Sequence, residues 1–205
     1  MVKVKICGNT SLDDAVAAVQ AGADAIGFVF YAKSPRAVDS KTAAEIISRL
    51  PPFVVPVGVF VNEELSVVRR IMDECNIALA QLHGEESPHY CAELGRSVIK
   101  AIRVRDSRDL ERMTAYQVSG FVLDAFVEGT PGGTGVTIDW DLAAQAQMLG
   151  PIILAGGLTP DNVLEAVRQV RPYAVDVTSG VEASPGKKDQ AKVQAFITNA
   201  KSWTW

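Results

Sequence analysis

Residues 151–170, PIILAGGLTPDNVLEAVRQV, set the pattern from which the fold is read. A short apolar run ends at Gly156-Gly157, and Thr159-Pro160 then opens a segment whose Val163, Ala166, Val167 and Val170 recur at helical spacing. Thr before Pro predicts an N-cap followed by the first helical position, where proline's missing donor costs nothing. The same unit, strand then loop then helix, recurs outward in both directions. VKVKIC, DAIGFVF, FVVPVGVF, IALAQLHG, SVIKAIRV, GFVLDAF, PIILAGG and YAVDVTSG are eight strand-sized runs. Helical or loop segments separate them, and KKDQAKVQAFITNA closes the last. Ser11 and Asp14 predict a capping box for the first helix. Strands alternating with helices imply a parallel sheet. Eight units predict one α/β domain over residues 1–205, a (β/α)8 TIM barrel, with a doubly wound open sheet as the alternative.

Composition narrows the function classes. Of 205 residues 48% are hydrophobic and 21% charged, which suits a folded core rather than a disordered chain. The net charge of -4 comes without a basic stripe, which argues against a nucleic-acid partner. No apolar run is long enough for a membrane span, and MVKVKICGNT has no signal-peptide core. Cys7, Cys75 and Cys91 lack C-x-x-C spacing, so a reducing, cytoplasmic setting is expected. His83 and His89 lack zinc-ligand spacing, so no metal is expected.

On a (β/α)8 barrel the residues that follow each strand form the catalytic rim. Alternation in VKVKIC turns Val2, Val4 and Ile6 toward the helices and Lys3, Lys5 and Cys7 inward. Cys7 thus reaches the rim as a candidate base or nucleophile, whereas Cys75 and Cys91 sit in helical patterns as inert core cysteines. Asp124 ends FVLD across the mouth, as either an N-cap or the acid of a proton-transferring pair. Arg36, after the second strand, offers a planar fork for a carboxylate, or is simply solvated. His83, after the fourth, can reach a substrate, although a structural role is the commoner use of such a position. Gly156 and Gly157 after strand seven, with Ser179 and Gly180 after strand eight, occupy the loops that often bind phosphate on this fold. Gly132, Gly133 and Gly135 add further N–H groups, and a small phosphate monoester is the expected ligand. Asp176, inward on the last strand, is a natural ion partner for Lys5 or Lys3, because buried lysines need one.

Taken together, VKICG, GFVFYAKSPR, VGVFVNE, QLHGEE, VLD followed by GGTG and DW, LAGGLTPDNV and VDVTSGVEASPGKKD resemble the phosphoribosylanthranilate isomerase family, in order along most of the chain. The resemblance implies that Cys7 is the general base, Asp124 the general acid and Arg36 the contact for the anthranilate carboxylate. It places the phosphate near Gly133, Gly156, Gly157, Ser179 and Gly180. It implies an Amadori rearrangement in tryptophan biosynthesis with no cofactor. Thr178 stands where serine is more usual, and Asn9 where an apolar residue is commoner. Another sugar-phosphate isomerase or epimerase, and a non-catalytic phosphometabolite-binding barrel, are the alternatives. A monomer and a homodimer are both compatible with the sequence.

Overall fold

Alternate residues of the opening strand part company as their pattern predicts. In β1 (Lys3–Ile6), Val4 and Ile6 join the hydrophobic layer beneath the helices, while the Lys5 side chain turns inward to Asp176. The computed structural model describes residues 1–125 and 139–203. Within them, β2 (Ala25–Val29), β3 (Val55–Phe60), β4 (Leu79–Leu82), β5 (Ser97–Val104), β6 (Gly120–Ala125), β7 (Ile152–Leu154) and β8 (Ala174–Val177) follow in chain order. Each pairs in parallel with its predecessor, and β8 returns to β1, so the sheet closes into a barrel and the open-sheet alternative falls.

The helices α1 (Leu12–Gln20), α2 (Ser40–Ile47), α3 (Leu65–Cys75), α4 (Pro88–Glu93), α5 (Ser107–Met113), α6 (Trp140–Gln145), α7 (Val163–Val170) and α8 (Gln190–Lys201) surround it. Their buried faces, such as Ala15 and Ala18 or Val163, Ala166 and Val170, pack on the outward residues Ile6, Phe28, Leu82, Leu123 and Val175. The inner cluster is separate and made of small or medium side chains: Val57, Ile99, Ala101, Val122, Ile153 and Ala174. An eight-stranded barrel has just enough interior for such residues, so it is a packed core rather than a pore. No helix among the described residues is long and apolar enough to cross a membrane.

Four local expectations change. Lys3 does not share the interior with Lys5. At the strand's N-terminal end it reaches Asp24 at 2.9 Å, and its side chain is 55% exposed. Ser11 caps α1 by accepting from the Asp14 N–H, but Asp14 does not reciprocate; its carboxylate accepts from the Lys188 N–H at 3.0 Å. Thr159 does not cap a helix starting at Pro160. Asn162 is the N-cap of α7, and its side chain braces the turn by accepting from Thr159 N–H and donating to the Gly157 carbonyl. Lys187–Lys188, expected to lead directly into the last helix, instead forms β10, paired antiparallel with β9 (Glu182–Ser184).

Candidate active site

The C-terminal ends of the strands enclose a cavity of about 400 Å³. Cys7, Arg36, Gln81, His83, Asp124, Gly156, Gly157, Asp176, Ser179 and Gly180 all border it. Every described residue expected at the rim is therefore in one place; Gly133, with Gly132 and Gly135, lies outside the described residues. A larger hollow of about 750 Å³ lies at the other end of the barrel among Asp73, Arg96 and Ser119. It contains none of the expected catalytic side chains. The side chains with acid–base and anion-binding character border the smaller cavity.

Cys7 follows β1 directly, pinned by its N–H to the Val177 carbonyl at 2.9 Å. Its thiol has room because residue 27 is glycine: a Cβ there would stand 2.7 Å from the sulfur and 3.1 Å from the Cys7 Cα. Gly8 works similarly for Arg36, whose Cδ would lie 2.8 Å from an added Cβ. Three cations act on the thiol's surroundings. The Lys5 ammonium is bound to Asp176 Oδ2 at 2.7 Å and also interacts with the Cys7 thiol. Burial alone would lower the Lys5 pKa, but Asp176 and Cys7 outweigh it and hold the group above its usual value. Lys188 donates to the Cys7 carbonyl at 2.6 Å, and burial pulls its pKa down despite Glu182. Arg36 is the third. A thiolate at Cys7 therefore has cationic partners on several sides. Cys75 and Cys91 are different: both are buried, and burial pushes each thiol up.

Arg36 is not a free loop cation. Its Nε and Nη2 edge grips Glu182 at 2.7 to 3.1 Å, and Lys188 reaches the same carboxylate at 3.1 Å. Burial would raise the Glu182 pKa, but Arg36 and Lys188 hold it below the usual range. The bond to Glu182 raises the already high Arg36 pKa. The fork's other edge, through Nη1, has no bond among the described residues and can meet an anion. Glu182 and Lys188 escaped the sequence reading because they lie far beyond Arg36 in the chain. The one available signal was their shared motif VEASPGKKD.

Asp124 lies within β6, inward and 6% exposed, opposite Arg103 of β5 in register. The described helix that follows is capped by Asp139, so Asp124 is not its N-cap. His83 Nε2 stands 3.3 Å from Asp124 Oδ2. On its other side Gln81 Nε2 meets His83 Nδ1 at 2.8 Å. Gln81 thus holds one ring nitrogen while the other faces the Asp124 carboxyl. The loop carrying His83 is tied down by Lys100, 2% exposed, which donates to the carbonyls of Leu82, Gly84 and Ala101 and to Glu86. Glu86 in turn accepts from the N–H groups of Asn62 and Gly84.

After β7, Gly156 and Gly157 adopt φ of 77° and 63°, a left-handed backbone that glycine reaches without strain. After β8, Ser179–Val181 form a single 3-10 turn. A side chain at Gly180 would collide with the Leu158 carbonyl, so the two loops approach closely only because that position is glycine.

A family model described as N-(5'phosphoribosyl)anthranilate (PRA) isomerase matches residues 4–199. The chain belongs to this family. A relative from Pelobacter propionicus, named N-(5'-phosphoribosyl)anthranilate isomerase, is 57% identical over 98% of this chain and 96% of its own length. A phosphoribosyl anthranilate isomerase solved in complex with reduced 1-(o-carboxyphenylamino)-1-deoxyribulose 5-phosphate is 45% identical, with a TM-score of 0.90. The two cover 99% of this chain and 100% of that one. A structure of monomers generated from the dimeric isomerase of Thermotoga maritima is 42% identical, with a TM-score of 0.89 over 99% and 100% of the chains. Isomerases of this family serve tryptophan biosynthesis.

Proposed function

We propose that this chain, working as one barrel domain, converts N-(5'-phosphoribosyl)anthranilate into 1-(2-carboxyphenylamino)-1-deoxyribulose 5-phosphate. The observation that carries this reading is the meeting of Cys7 and Asp124 in one cavity floored by the barrel and edged by the glycine loops. Asp124 protonates the furanose ring oxygen, and the ring opens to an iminium ion. Cys7, as thiolate beside Lys5, removes the proton from sugar C2, and the resulting enolamine tautomerises to the ketone. The iminium is the electron sink, so the reaction can be written with no cofactor. Each proton transfer contributes on the order of 10²–10⁴ in rate.

His83 orients Asp124 and touches the substrate at the same rim. Arg36, oriented by Glu182, takes the anthranilate carboxylate through its remaining edge. The backbone of Gly156, Gly157, Ser179 and Gly180, together with Gly133, holds the phosphate. Gripping both ends keeps the reacting carbon beside Cys7, so binding energy goes into orientation. The working form is a homodimer in the cytoplasm, where Cys7, Cys75 and Cys91 stay reduced. The dimer is supported by two exposed apolar side chains at the N-terminal end of the barrel, Phe53, 96% exposed, on the loop that enters β3, and Met148, 94% exposed, in the short 3-10 turn before β7. The isomerase from Thermotoga maritima, 42% identical to this chain, is dimeric.

The test is turnover of freshly generated phosphoribosylanthranilate, followed by loss of its fluorescence. Wild type is expected to consume it, with Cys7→Ala and Asp124→Asn folded but at least 10²-fold slower. Near-normal rates in either variant would remove that residue from its role.

A further inference from the structure

A second hollow, of about 240 Å³, opens on the same rim, and the proposed chemistry makes no use of it. His83 borders it as well as the catalytic cavity, so the two share a wall. Arg103, Arg105 and Arg112 line the remainder. Arg105 and Arg112 both donate to the Asp109 carboxylate, at 3.3 to 3.5 Å, and Lys100 is paired with Glu86. Arg103 is different. It follows Ile99 and Ala101 on the inward face of β5, half-buried, and has no hydrogen bond or ion pair among the described residues. Its guanidinium keeps five N–H donors to offer and cannot shed its charge.

Charge, size and shape narrow the ligand. Three guanidinium groups repel any cation, and Glu85, exposed to solvent, is the one acid among the described residues that border the hollow. The volume is smaller than the roughly 300 Å³ at which sites for drug-sized ligands begin, so the ligand is a small anion. One arginine fork satisfies a planar carboxylate. Forks arriving from β5, its following loop and α5 suit a tetrahedral oxyanion, which turns a different pair of oxygens to each.

We infer that this hollow binds phosphate, as the free ion or as the phosphoryl group of a small metabolite, and that its occupancy slows turnover without displacing substrate. The effect on turnover rests on the isomerase reading above. Arg103 lies opposite Asp124 in the register of β5 and β6, on strands about 4.8 Å apart, with both side chains inward. As Asp124 gives up its proton its carboxylate gains negative charge, and the neighbouring guanidinium stabilises that charge. A phosphate seated on Arg103 cancels the help. A charge effect of this kind, part-screened by water, is worth roughly two- to tenfold in kcat.

The experiment titrates inorganic phosphate, and in parallel ribose 5-phosphate, by calorimetry into enzyme saturated with reduced 1-(o-carboxyphenylamino)-1-deoxyribulose 5-phosphate, so that the catalytic cavity is filled. Wild type is expected to bind one further equivalent, and Arg103→Met to bind it roughly ten- to hundredfold more weakly, with a smaller loss in Arg112→Met. Tighter binding of ribose 5-phosphate supports a sugar phosphate as the source, and tighter binding of phosphate supports the free ion. At saturating phosphoribosylanthranilate, phosphate is expected to lower wild-type kcat by roughly two- to tenfold and to leave Arg103→Met, slower from the outset, unchanged. Arg112→Met keeps its basal kcat and needs more phosphate for the same inhibition. Phosphate that acts only by raising KM, equally in all three proteins, reports the catalytic grip alone and overturns the inference. A wild type that binds no further equivalent overturns it too. Absence of both turnover and polyol binding in wild type sinks the isomerase reading instead, and phosphate titrated into ligand-free wild type and Arg103→Met then still decides the site.

Discussion

Adding a single methyl group at position 27 tests whether the Cys7 thiol must sit where the barrel puts it. Gly27 lies in β2 with no positive φ, so alanine brings no backbone strain and acts through sterics alone. The new Cβ would meet Cys7 Sγ at 2.7 Å, Cys7 Cα at 3.1 Å and Cys7 Cβ at 3.2 Å. Comfortable contacts lie at about 3.5–4.0 Å, so relief takes a shift of about 1 Å. Rotating the thiol does not suffice, because the Cα is also too close; the start of the rim must move. Overpacking of this size costs about 1–3 kcal/mol, or roughly 2–12 °C in melting temperature for a chain of this length. A misplacement of about 1 Å at the reacting group costs on the order of 10²-fold in kcat. The phosphate and carboxylate grips are untouched, so KM should change little. Gly58→Ala is the control: its Cβ would press on the Phe60 ring, at 2.8 Å, away from the thiol. Steady-state kinetics and thermal melts of both variants decide the matter. Wild-type kcat in a destabilised Gly27→Ala would show that the position of the thiol is not what governs the reaction.

Lys100→Met should be among the most damaging changes outside the rim, by about 3–5 kcal/mol in urea unfolding, because it strands the buried Glu86 carboxylate; a loss below about 1 kcal/mol would contradict the knot drawn around His83. Glu182 has a folded pKa held below its usual 4.5. As pH falls through that window the unfolded chain takes up the proton first, so stability present above it is lost as pH drops toward the folded value. Glu182→Gln should flatten that acid limb of the stability curve, and an unchanged slope would remove the carboxylate from the account. Phe53→Asp should turn the dimer into a monomer by light scattering; a wild-type monomer, or an unaltered dimer in the variant, would take the interface away from the N-terminal face.

By itself the sequence determined what depends on short-range pattern. Period-two alternation set the facing of Val4, Lys5, Ile6 and Cys7, and the eight strand-and-helix units fixed the number and direction of the strands. Given the barrel, every strand end had to lie on one rim, so Cys7, Arg36, His83, Asp124 and the glycine loops were legible as neighbours. What the sequence could not order were choices between partners. Asp176 could serve Lys3 or Lys5, and register alone, Lys5 opposite Asp176, decided for Lys5 while Lys3 went to Asp24. Arg36 read as either a fork for a carboxylate or a solvated cation, and its partners came to light only when the chain's return as a hairpin brought Glu182 and Lys188 to it. Asp14 left its capping box for the Lys188 N–H for the same reason. Apart from Lys3 with Asp24, these partners lie more than a hundred positions apart, and the energies of all the pairings depend on ångström distances and on exclusion from water. Local pattern encodes neither, so only the closed barrel could settle them.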